Sequence, residues 1–121
     1  MCQNDGANLA SIHSPEENSY IANSTYMYLQ QERNVWIGIY LDNSTLTWKW
    51  TDGSFVDYTN WGFERPFPGD GCGILVNSQW PNYCNTTNFC NWFGLWDTQS
   101  SYDCTLSNSK IVYAACKMSP N

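Results

Sequence analysis

Runs of apolar residues divide the chain into short predicted elements. Residues 35–41 are apolar at almost every position, which is typical of a strand buried on both faces. Residues 46–51 and 55–58 have the composition of two further strands, and Asp52-Gly53 between them favours a tight hairpin turn. A last strand is predicted over residues 111–117. The pattern therefore predicts a chain rich in short strands.

One helix precedes these strands. Ser14-Pro15-Glu16-Glu17 is a helix start signal, because serine suits the cap, proline the first position and glutamate the third. The helix is predicted to reach about Gln30. Ile21 and Asn23 fall on opposite faces of this helix, which leaves the asparagine accessible.

A long irregular stretch, rich in Asn, Gly and Pro, follows residue 58 and is interrupted by an apolar run at residues 72–76. Loops of this length in compact domains are commonly functional, and the many aromatic side chains argue against disorder. No linker, low-complexity tract or internal repeat divides the sequence. We therefore expect a single domain over residues 1–121.

The composition excludes several classes of partner. Eleven acidic and five basic residues give a net charge of -6, which argues against nucleic acid and anionic membrane surfaces, since both attract clustered Lys and Arg. No apolar stretch approaches the roughly 20 residues that cross a bilayer, so membrane insertion is not expected. Six cysteines and the glycosylation sequons at Asn23, Asn43 and Asn85 favour a secreted, disulfide-bonded glycoprotein.

Enzyme activity is not expected. His13 is the single histidine, and with no free cysteine expected, no convincing Ser-His-Asp or Cys-His arrangement can be assembled. Glu16 and Glu17 form a carboxylate pair, but capping of the helix already explains them. The other carboxylates are scattered, and nothing marks two of them as a glycosidase pair.

Three segments carry a family resemblance. They are Cys2-Gln3-Asn4-Asp5-Gly6-Ala7-Asn8-Leu9-Ala10-Ser11-Ile12-His13-Ser14, then Val35-Trp36-Ile37-Gly38-Ile39-Tyr40, and finally Val112-Tyr113-Ala114-Ala115-Cys116-Lys117. In order and spacing they resemble the C-type lectin-like domain over nearly the whole chain. The resemblance implies an α+β fold with small antiparallel sheets, a flanking helix and a long loop region, at residues 60–104, that holds the ligand site.

The family pattern normally begins earlier, with a strand and a first helix. The resemblance therefore implies that this N-terminal strand and helix region is truncated here. Because that strand normally pairs with the last one, residues 111–117 are expected to present an open edge, unless residues around Met1 and the C-terminal tail cover it. Open edges invite pairing between chains, so self-association as a homodimer is a hypothesis of the sequence.

The six cysteines allow about 15 pairings, and their spacing alone does not choose among them. The resemblance implies three disulfides: Cys2–Cys116, Cys72–Cys104 and a local clip, Cys84–Cys90. Metal binding is the alternative for these cysteines, and it is disfavoured because no histidine accompanies them and Cys-x5-Cys is not the spacing of a zinc finger.

Family members that bind sugar through calcium carry Glu-Pro-Asn or Gln-Pro-Asp, with a cis proline, in the long loop and Trp-Asn-Asp before the next cysteine. This chain has Arg65-Pro66-Phe67 and Trp96-Asp97-Thr98 at those places. Calcium takes about six to eight oxygen ligands, and an arginine would repel it. The resemblance therefore implies a degenerate calcium site at most, made of Glu64, Asp70 and Asp97, and no cofactor is expected.

Residues 71–96 contain no charged side chain and are rich in Asn and aromatic residues. Asn matches the donor and acceptor needs of vicinal hydroxyls, and an aromatic face suits the apolar face of a pyranose. The same surface suits a protein ligand, because Trp and Tyr are enriched at hot spots. Most of the rings are nevertheless expected in the core, as are Trp36, Trp48, Trp50 and Trp61. The predicted ligand-binding residues are Glu64, Asp70, Asn77, Trp80, Asn82, Trp92 and Asp97.

We therefore expect a secreted carbohydrate-binding module that recognises glycans or a glycoprotein with little or no dependence on calcium. The alternative is a domain of the same family that binds a protein ligand in immune or host recognition. A calcium-dependent lectin with a noncognate site is a third reading.

Overall fold

The computed structural model describes residues 2, 7–29, 34–77, 93–100, 104 and 113–118, without the side chains of residues 26–29. The elements in this part of the chain are β1 (Asn8–Leu9), α1 (Pro15–Leu29), β2 (Val35–Asp42), β3 (Thr47–Trp50), β4 (Asp70–Leu75), β5 (Trp96–Ser100), β6 (Tyr113–Ala114) and β7 (Cys116–Lys117). β1 and β7 form a two-stranded sheet, and the other strands form a second sheet. This confirms the predicted α+β fold of small antiparallel sheets with a flanking helix.

The helix α1 begins with the predicted capping box. The backbone N–H of Glu17 donates to Ser14 Oγ at 3.0 Å, and Glu17 Oε1 accepts the N–H of His13 at 2.8 Å. These two bonds satisfy backbone donors that the first turn leaves without helical partners. Asn23 is exposed, as its position on the helix predicted. Within the described residues, no helix is long and apolar enough to cross a membrane.

β2 is the central strand of the larger sheet, whose order is β3-β2-β4-β5 with β6 also pairing β2. Val35, Trp36, Ile37 and Ile39 are all buried. A strand with apolar side chains on both faces is stable only when both faces are covered, so the sequence pattern of β2 fixes its place in the sheet. The prediction of a buried strand over residues 35–41 is confirmed.

The predicted hairpin around Asp52-Gly53 is wrong. The hairpin instead joins β2 to β3, with Asp42 opposite Thr47, and residues 55–58 form no strand. Asp42 Oδ1 accepts from the backbone N–H and the hydroxyl of Ser44, which stabilises this earlier turn. Residues 52–54 do form a turn, in which Asp52 Oδ1 accepts the N–H of Ser54 at 2.9 Å. After this turn the chain runs alongside the core, and Phe55 is 88% exposed.

The end of the chain forms two short paired segments rather than one continuous strand. β6 pairs in parallel with β2, and β7 pairs antiparallel with β1 through Asn8↔Lys117 and Leu9↔Cys116. Ala115 lies between them; its N–H donates to Trp36 O at 3.0 Å and its carbonyl accepts the N–H of Ala10 at 2.8 Å. The predicted open edge is therefore partly covered by this chain's own β1, while residues 111 and 112 lie outside the described part.

Two of the three predicted disulfides are confirmed. Cys2–Cys116 joins the first described residue to β7, and Cys72–Cys104 joins β4 to the segment after β5, with Cα–Cα distances of 5.6 and 5.9 Å. Cys84–Cys90 lies outside the described residues. Crosslinks over long loops stabilise a fold mainly by restricting the unfolded chain.

Trp96 is the centre of an aromatic cluster in the core. Its ring contacts Trp50, Trp61 and Tyr58 edge to face at centroid distances of 5.4, 5.5 and 5.8 Å, a geometry that aromatic pairs favour. Its Nε1–H donates to Asn18 Oδ1 at 2.7 Å, which ties the helix to β5. The core positions predicted for the strand tryptophans are confirmed, with Trp36 and Trp50 buried and Trp48 and Trp61 packed against the cluster.

Candidate functional site

The ligand-loop, residues 59–69, leaves the core beside β5. Its base is fixed by three hydrogen bonds: the N–H of Trp96 donates to Asn60 O at 2.8 Å, the N–H of Gly62 donates to Trp96 O at 2.8 Å, and Asn60 Nδ2 donates to Gly94 O at 2.7 Å. Because Trp96 is fully buried, these bonds hold the start of the loop against an immobile part of the core.

The tip of the ligand-loop is a tight turn. The N–H of Arg65 donates to Gly62 O at 3.1 Å, Glu64 has a φ of 56°, and the Arg65-Pro66 peptide bond is cis. A further bond, from the N–H of Asp70 to Phe67 O at 3.1 Å, closes the far end of the loop where β4 begins. The side chains of residues 63–67 are therefore presented by a backbone that is bonded at both ends.

An ion pair joins the ligand-loop to β5. Arg65 Nε donates to Asp97 Oδ1 at 2.6 Å, and the same oxygen accepts the N–H of Thr98 at 2.7 Å. Asp97 is only 6% exposed. A carboxylate this far from water needs a charged or hydrogen-bonding partner, and Arg65 supplies both in one contact.

Thr98 makes a second tie between β5 and the loop. Its hydroxyl donates to Asp70 Oδ2 at 2.6 Å and accepts the N–H of Phe67 at 3.2 Å. Asp70 therefore faces the loop from the start of β4 with one carboxylate oxygen already bonded. The two β5 residues Asp97 and Thr98 thus act as anchors on which the loop rests.

The three predicted calcium ligands do not gather around one point in the described part of the chain. Of the three carboxylates predicted from the sequence, Asp97 is paired with Arg65, Asp70 is bonded to Thr98, and Glu64 is exposed at the turn. Among the residues that the structure describes, no three His, Cys, Asp or Glu side chains gather closely enough to hold a metal ion. Calcium needs several free oxygen ligands around one point, whereas a guanidinium occupies the side of Asp97 that faces the loop.

Two exposed phenyl rings belong to the same short loop as Arg65. Phe63 is 70% exposed and Phe67 is 54% exposed, and the guanidinium carbon of Arg65 lies 5.6 Å from the centroid of the Phe67 ring. Large apolar side chains are usually exposed singly, and here two of them share one short loop. We name Phe63, Glu64, Arg65 and Phe67 the loop-tip face.

The predicted ligand-binding residues did not include the two exposed phenylalanines. A signal was present, because Phe67 lies between two prolines and Phe63 lies between a glycine and a glutamate. Of the predicted residues, the structure gathers Glu64, Asp70 and Asp97 at the loop. Asn77 is elsewhere: it is 0% exposed, and its Nδ2 donates to Thr25 Oγ1 at 3.1 Å beneath the helix, where a surface ligand does not reach. Trp80, Asn82 and Trp92 lie outside the described residues.

Away from the loop, the structure does bring a serine, a histidine and an aspartate together, contrary to the sequence interpretation. His13 Nδ1 lies 2.6 Å from Asp57 Oδ1, and Nε2 lies 3.0 Å from Ser54 Oγ. A catalytic serine hydroxyl donates to the histidine. Here Ser54 Oγ lies closer, at 2.5 Å, to Asp52 Oδ1, and a carboxylate is the stronger acceptor. In this structure the hydroxyl donates to Asp52 and not to His13, unlike that of a catalytic serine.

The chain belongs to the C-type lectin family, because the family described as the Lectin C-type domain matches residues 1–118. The members of this family are generally binding domains rather than enzymes.

Similar proteins differ in what they bind. A C-type lectin of Micrurus corallinus is 43% identical over 61 residues, which cover 50% of this chain and 39% of that protein. The structure of human lithostathine superposes with a TM-score of 0.64 and 26% identity, over 82% of this chain and 62% of that chain. A calcium-independent type II antifreeze protein superposes with a TM-score of 0.59 and 31% identity, over 82% of this chain and 63% of the other. The chain spans less than two-thirds of the length of each.

Proposed function

We propose that this chain is a secreted glycan-binding module that recognises its ligand through the loop-tip face without a bound calcium ion. The observation that carries the proposal is the Arg65–Asp97 ion pair. It places a positive charge of the protein beside the acidic residue of β5, on the loop that exposes Phe63 and Phe67.

The loop-tip face has the chemistry that a neutral sugar requires. The flat rings of Phe63 and Phe67 offer apolar surface for the apolar face of a pyranose. The Glu64 carboxylate is an acceptor for hydroxyl groups, and the second carboxylate, Asp70, stands at the end of the loop. A ring face plus a small number of oriented polar groups is the usual composition of a small-ligand site.

The ion pair also supports independence from calcium. A calcium ion at Asp97 would have to displace the guanidinium and then find its remaining oxygen ligands around a single point. Since the carboxylates of Asp70 and Asp97 already have partners, the free energy of binding would first be spent on breaking those contacts. The similarity to a calcium-independent antifreeze protein is in keeping with a calcium-free member of the family.

A protein ligand is the second candidate function, and the same two rings favour it. Exposed aromatic side chains beside an arginine are typical of hot spots in protein interfaces. The two candidates differ in the effect of free sugar, because a glycan site is emptied by a competing monosaccharide or oligosaccharide and a protein interface is not.

Secretion is part of the proposal, since the disulfides Cys2–Cys116 and Cys72–Cys104 persist in oxidising compartments. Asn23 and Asn43 are exposed, which suits their use as glycosylation sites. A role in immune or host recognition and pairing into a homodimer are extensions of the same proposal.

The experiment that tests this function compares glycan-array binding of the oxidised protein with that of the double variant Phe63→Ala/Phe67→Ala. We expect specific glycan signals that the double variant loses and that free sugar of the same type abolishes. The matched control is Phe55→Ala, which removes an even more exposed phenyl ring outside the loop. Absence of any glycan signal, together with binding to a deglycosylated protein that depends on Phe63 and Phe67, would replace the sugar by a protein ligand.

A further inference from the structure

A second polar cluster lies outside the ligand-loop, around His13 in the connection between β1 and α1. Its ring contacts two segments of the chain: Nδ1 lies 2.6 Å from Asp57 Oδ1, and Nε2 lies 3.0 Å from Ser54 Oγ and 3.2 Å from Ser11 Oγ. The ring also packs edge to face against Trp50 at a centroid distance of 6.1 Å. None of these contacts takes part in the loop-tip face.

Both serine hydroxyls donate hydrogen bonds to Asp52. Ser11 Oγ lies 2.5 Å from Asp52 Oδ2, and Ser54 Oγ lies 2.5 Å from Asp52 Oδ1. Partial burial acts to raise the pKa of Asp52, but the hydrogen bonds from Ser11 and Ser54 outweigh it, so the pKa lies below its usual value. Asp52 is therefore an ionised, acceptor-only carboxylate at neutral pH, and each hydroxyl has a single proton to donate.

This arrangement decides the roles of the two ring nitrogens. Ser11 and Ser54 donate their single protons to Asp52, so toward His13 their hydroxyl oxygens can only accept. Nε2 must therefore carry a proton to form hydrogen bonds with them. Asp57 is an acceptor as well, so Nδ1 must also carry a proton. The hydrogen-bond network is complete only when His13 is an imidazolium.

The elements packed next to His13, α1 and β7, each bring a charged side chain close to it. From α1, Glu17 accepts the backbone N–H of His13 with Oε1 and faces Lys117 Nζ of β7 at 3.0 Å with Oε2. Lys117 also donates to the carbonyl of Ser11 at 3.2 Å. His13 thus lies among the carboxylates of Glu17, Asp52 and Asp57, with Lys117 as the other cation.

We propose that His13 is a proton-sensitive clasp that holds the segment 52–57 to the connection between β1 and α1. In the protonated form, Nε2–H bonds to the serine hydroxyls and both hydroxyls bond to Asp52. When the Nε2 proton passes to solvent, the Ser54 hydroxyl turns from Asp52 to the free Nε2 lone pair, and Asp52 loses one of its hydrogen bonds. The clasp therefore responds to the loss or gain of one proton at Nε2.

The clasped segment leads directly to the ligand-loop. Residue 58, which follows it, is a tyrosine that packs on Trp96, and Trp96 in turn bonds to Asn60 at the base of the loop. Residues 52–57 are therefore connected to the base of the ligand-loop through the contact between Tyr58 and Trp96. The inference itself concerns the clasp, and it stands whether the ligand is a glycan or a protein.

Nitrogen-15 NMR of the imidazole tests the clasp directly, because the chain has one histidine and its ring signals are unambiguous. We expect both nitrogens in the protonated form at pH 5. As the pH rises to 8, the backbone amide of Ser54 and the carboxyl carbon of Asp52 should shift with the same midpoint as the ring. Asp42, which pairs with Lys49, is the internal control and should show no step in this range.

Two variants separate the clasp from a general effect of pH. His13→Gln should abolish the step at Asp52, and Ser54→Ala should abolish it while the imidazole still titrates. A neutral imidazole at pH 5 would overturn the proposal. So would an imidazole that titrates while the Asp52 carboxyl carbon stays unchanged, because the Ser54 hydroxyl would then not exchange its acceptor.

Discussion

Arg65 of the ligand-loop and Asp97 of β5 form an ion pair with Nε and Oδ1 2.6 Å apart. The pair links the tip of a loop to a nearly buried carboxylate, 32 residues further along the chain. In this family the corresponding places carry oxygen ligands in members that bind sugar through calcium. Here the positive charge beside Asp97 is the guanidinium of Arg65, a side chain of the protein itself.

Removing the arginine should destabilise the fold. Arg65→Met leaves the Asp97 carboxylate with little access to water and without its charged partner, which costs about 2 kcal/mol in free energy of unfolding. Urea denaturation followed by tryptophan fluorescence measures this loss. The double variant Arg65→Met/Asp97→Asn should recover part of it, because the charge that needed a partner is gone while the amide oxygen still accepts the N–H of Thr98. Equal losses in the single and double variants would contradict the prediction, because removing the unpaired charge of Asp97 would then restore no stability.

Truncating the rings of the loop-tip face should reduce ligand binding and leave stability unchanged. Phe63→Ala and Phe67→Ala each remove an exposed ring, so the free energy of unfolding should stay within about 0.5 kcal/mol. Affinity for the ligand should fall about tenfold or more for each variant, which corresponds to about 1.4 kcal/mol. Titration calorimetry measures the affinity, and Phe55→Ala should bind as the unchanged protein does. A similar loss in Phe55→Ala would place the binding surface elsewhere.

The hydrogen bonds of Asn18 should matter for stability and not for ligand contact. Asn18→Ala leaves the buried Trp96 Nε1–H without its side-chain acceptor and leaves the carbonyl of Gly94 with the Asn60 amide alone of its two amide donors, which costs about 2 to 3 kcal/mol. Asn23→Ala, an exposed position of the same helix, should change the free energy of unfolding by less than about 0.5 kcal/mol. Thermal unfolding of the two variants under identical conditions provides the comparison. A small effect at Asn18 would show that the helix is held to β5 by packing alone.

Stability should fall in acid through Asp52 and Glu17. Burial acts to raise the pKa of both carboxyls, but hydrogen bonds outweigh it, from Ser11 and Ser54 to Asp52 and from Lys117 and the His13 amide to Glu17, so both pKa values lie below the usual 3.8 and 4.5. A carboxyl with a lowered folded pKa contributes stability above its unfolded pKa and loses it as the pH falls through the folded pKa. Melting temperatures from pH 7 to pH 2.5 should therefore drop less steeply for Asp52→Asn and Glu17→Gln. An unchanged slope in both variants would contradict the shifts.

Local patterns in the sequence predicted much of the fold, and long-range contacts account for what they missed. β2 was recognised because both of its faces are apolar, and α1 because its capping box is contiguous in sequence. The hairpin at Asp52-Gly53 was mispredicted because the Asp52 side chain bonds to Ser11 and Ser54 and turns the chain toward His13. That contact joins residues 41 positions apart, which no local pattern reports.

The candidate site, like the fold, was predicted only in part. The sequence identified Glu64, Asp70 and Asp97 as the acidic residues of the loop, because they follow the family motifs. It did not predict that Arg65 bonds to Asp97 and that Thr98 bonds to Asp70. These pairs are far apart in sequence and come together only when the loop and the two strands are folded. Asn77 was predicted as a ligand residue because an asparagine amide matches sugar hydroxyls, whereas its side chain is buried and bonds to Thr25 of the helix.

Calcium dependence is the property that most directly tests the assignment of Arg65 as the cation of this site. The measurement is binding of the oxidised protein to a glycan array in millimolar calcium and, in parallel, in excess chelator. The account predicts the same glycans and the same signal strengths in both conditions. Binding that appears only with calcium would contradict it, because Asp97 would then have to leave Arg65 and coordinate the metal.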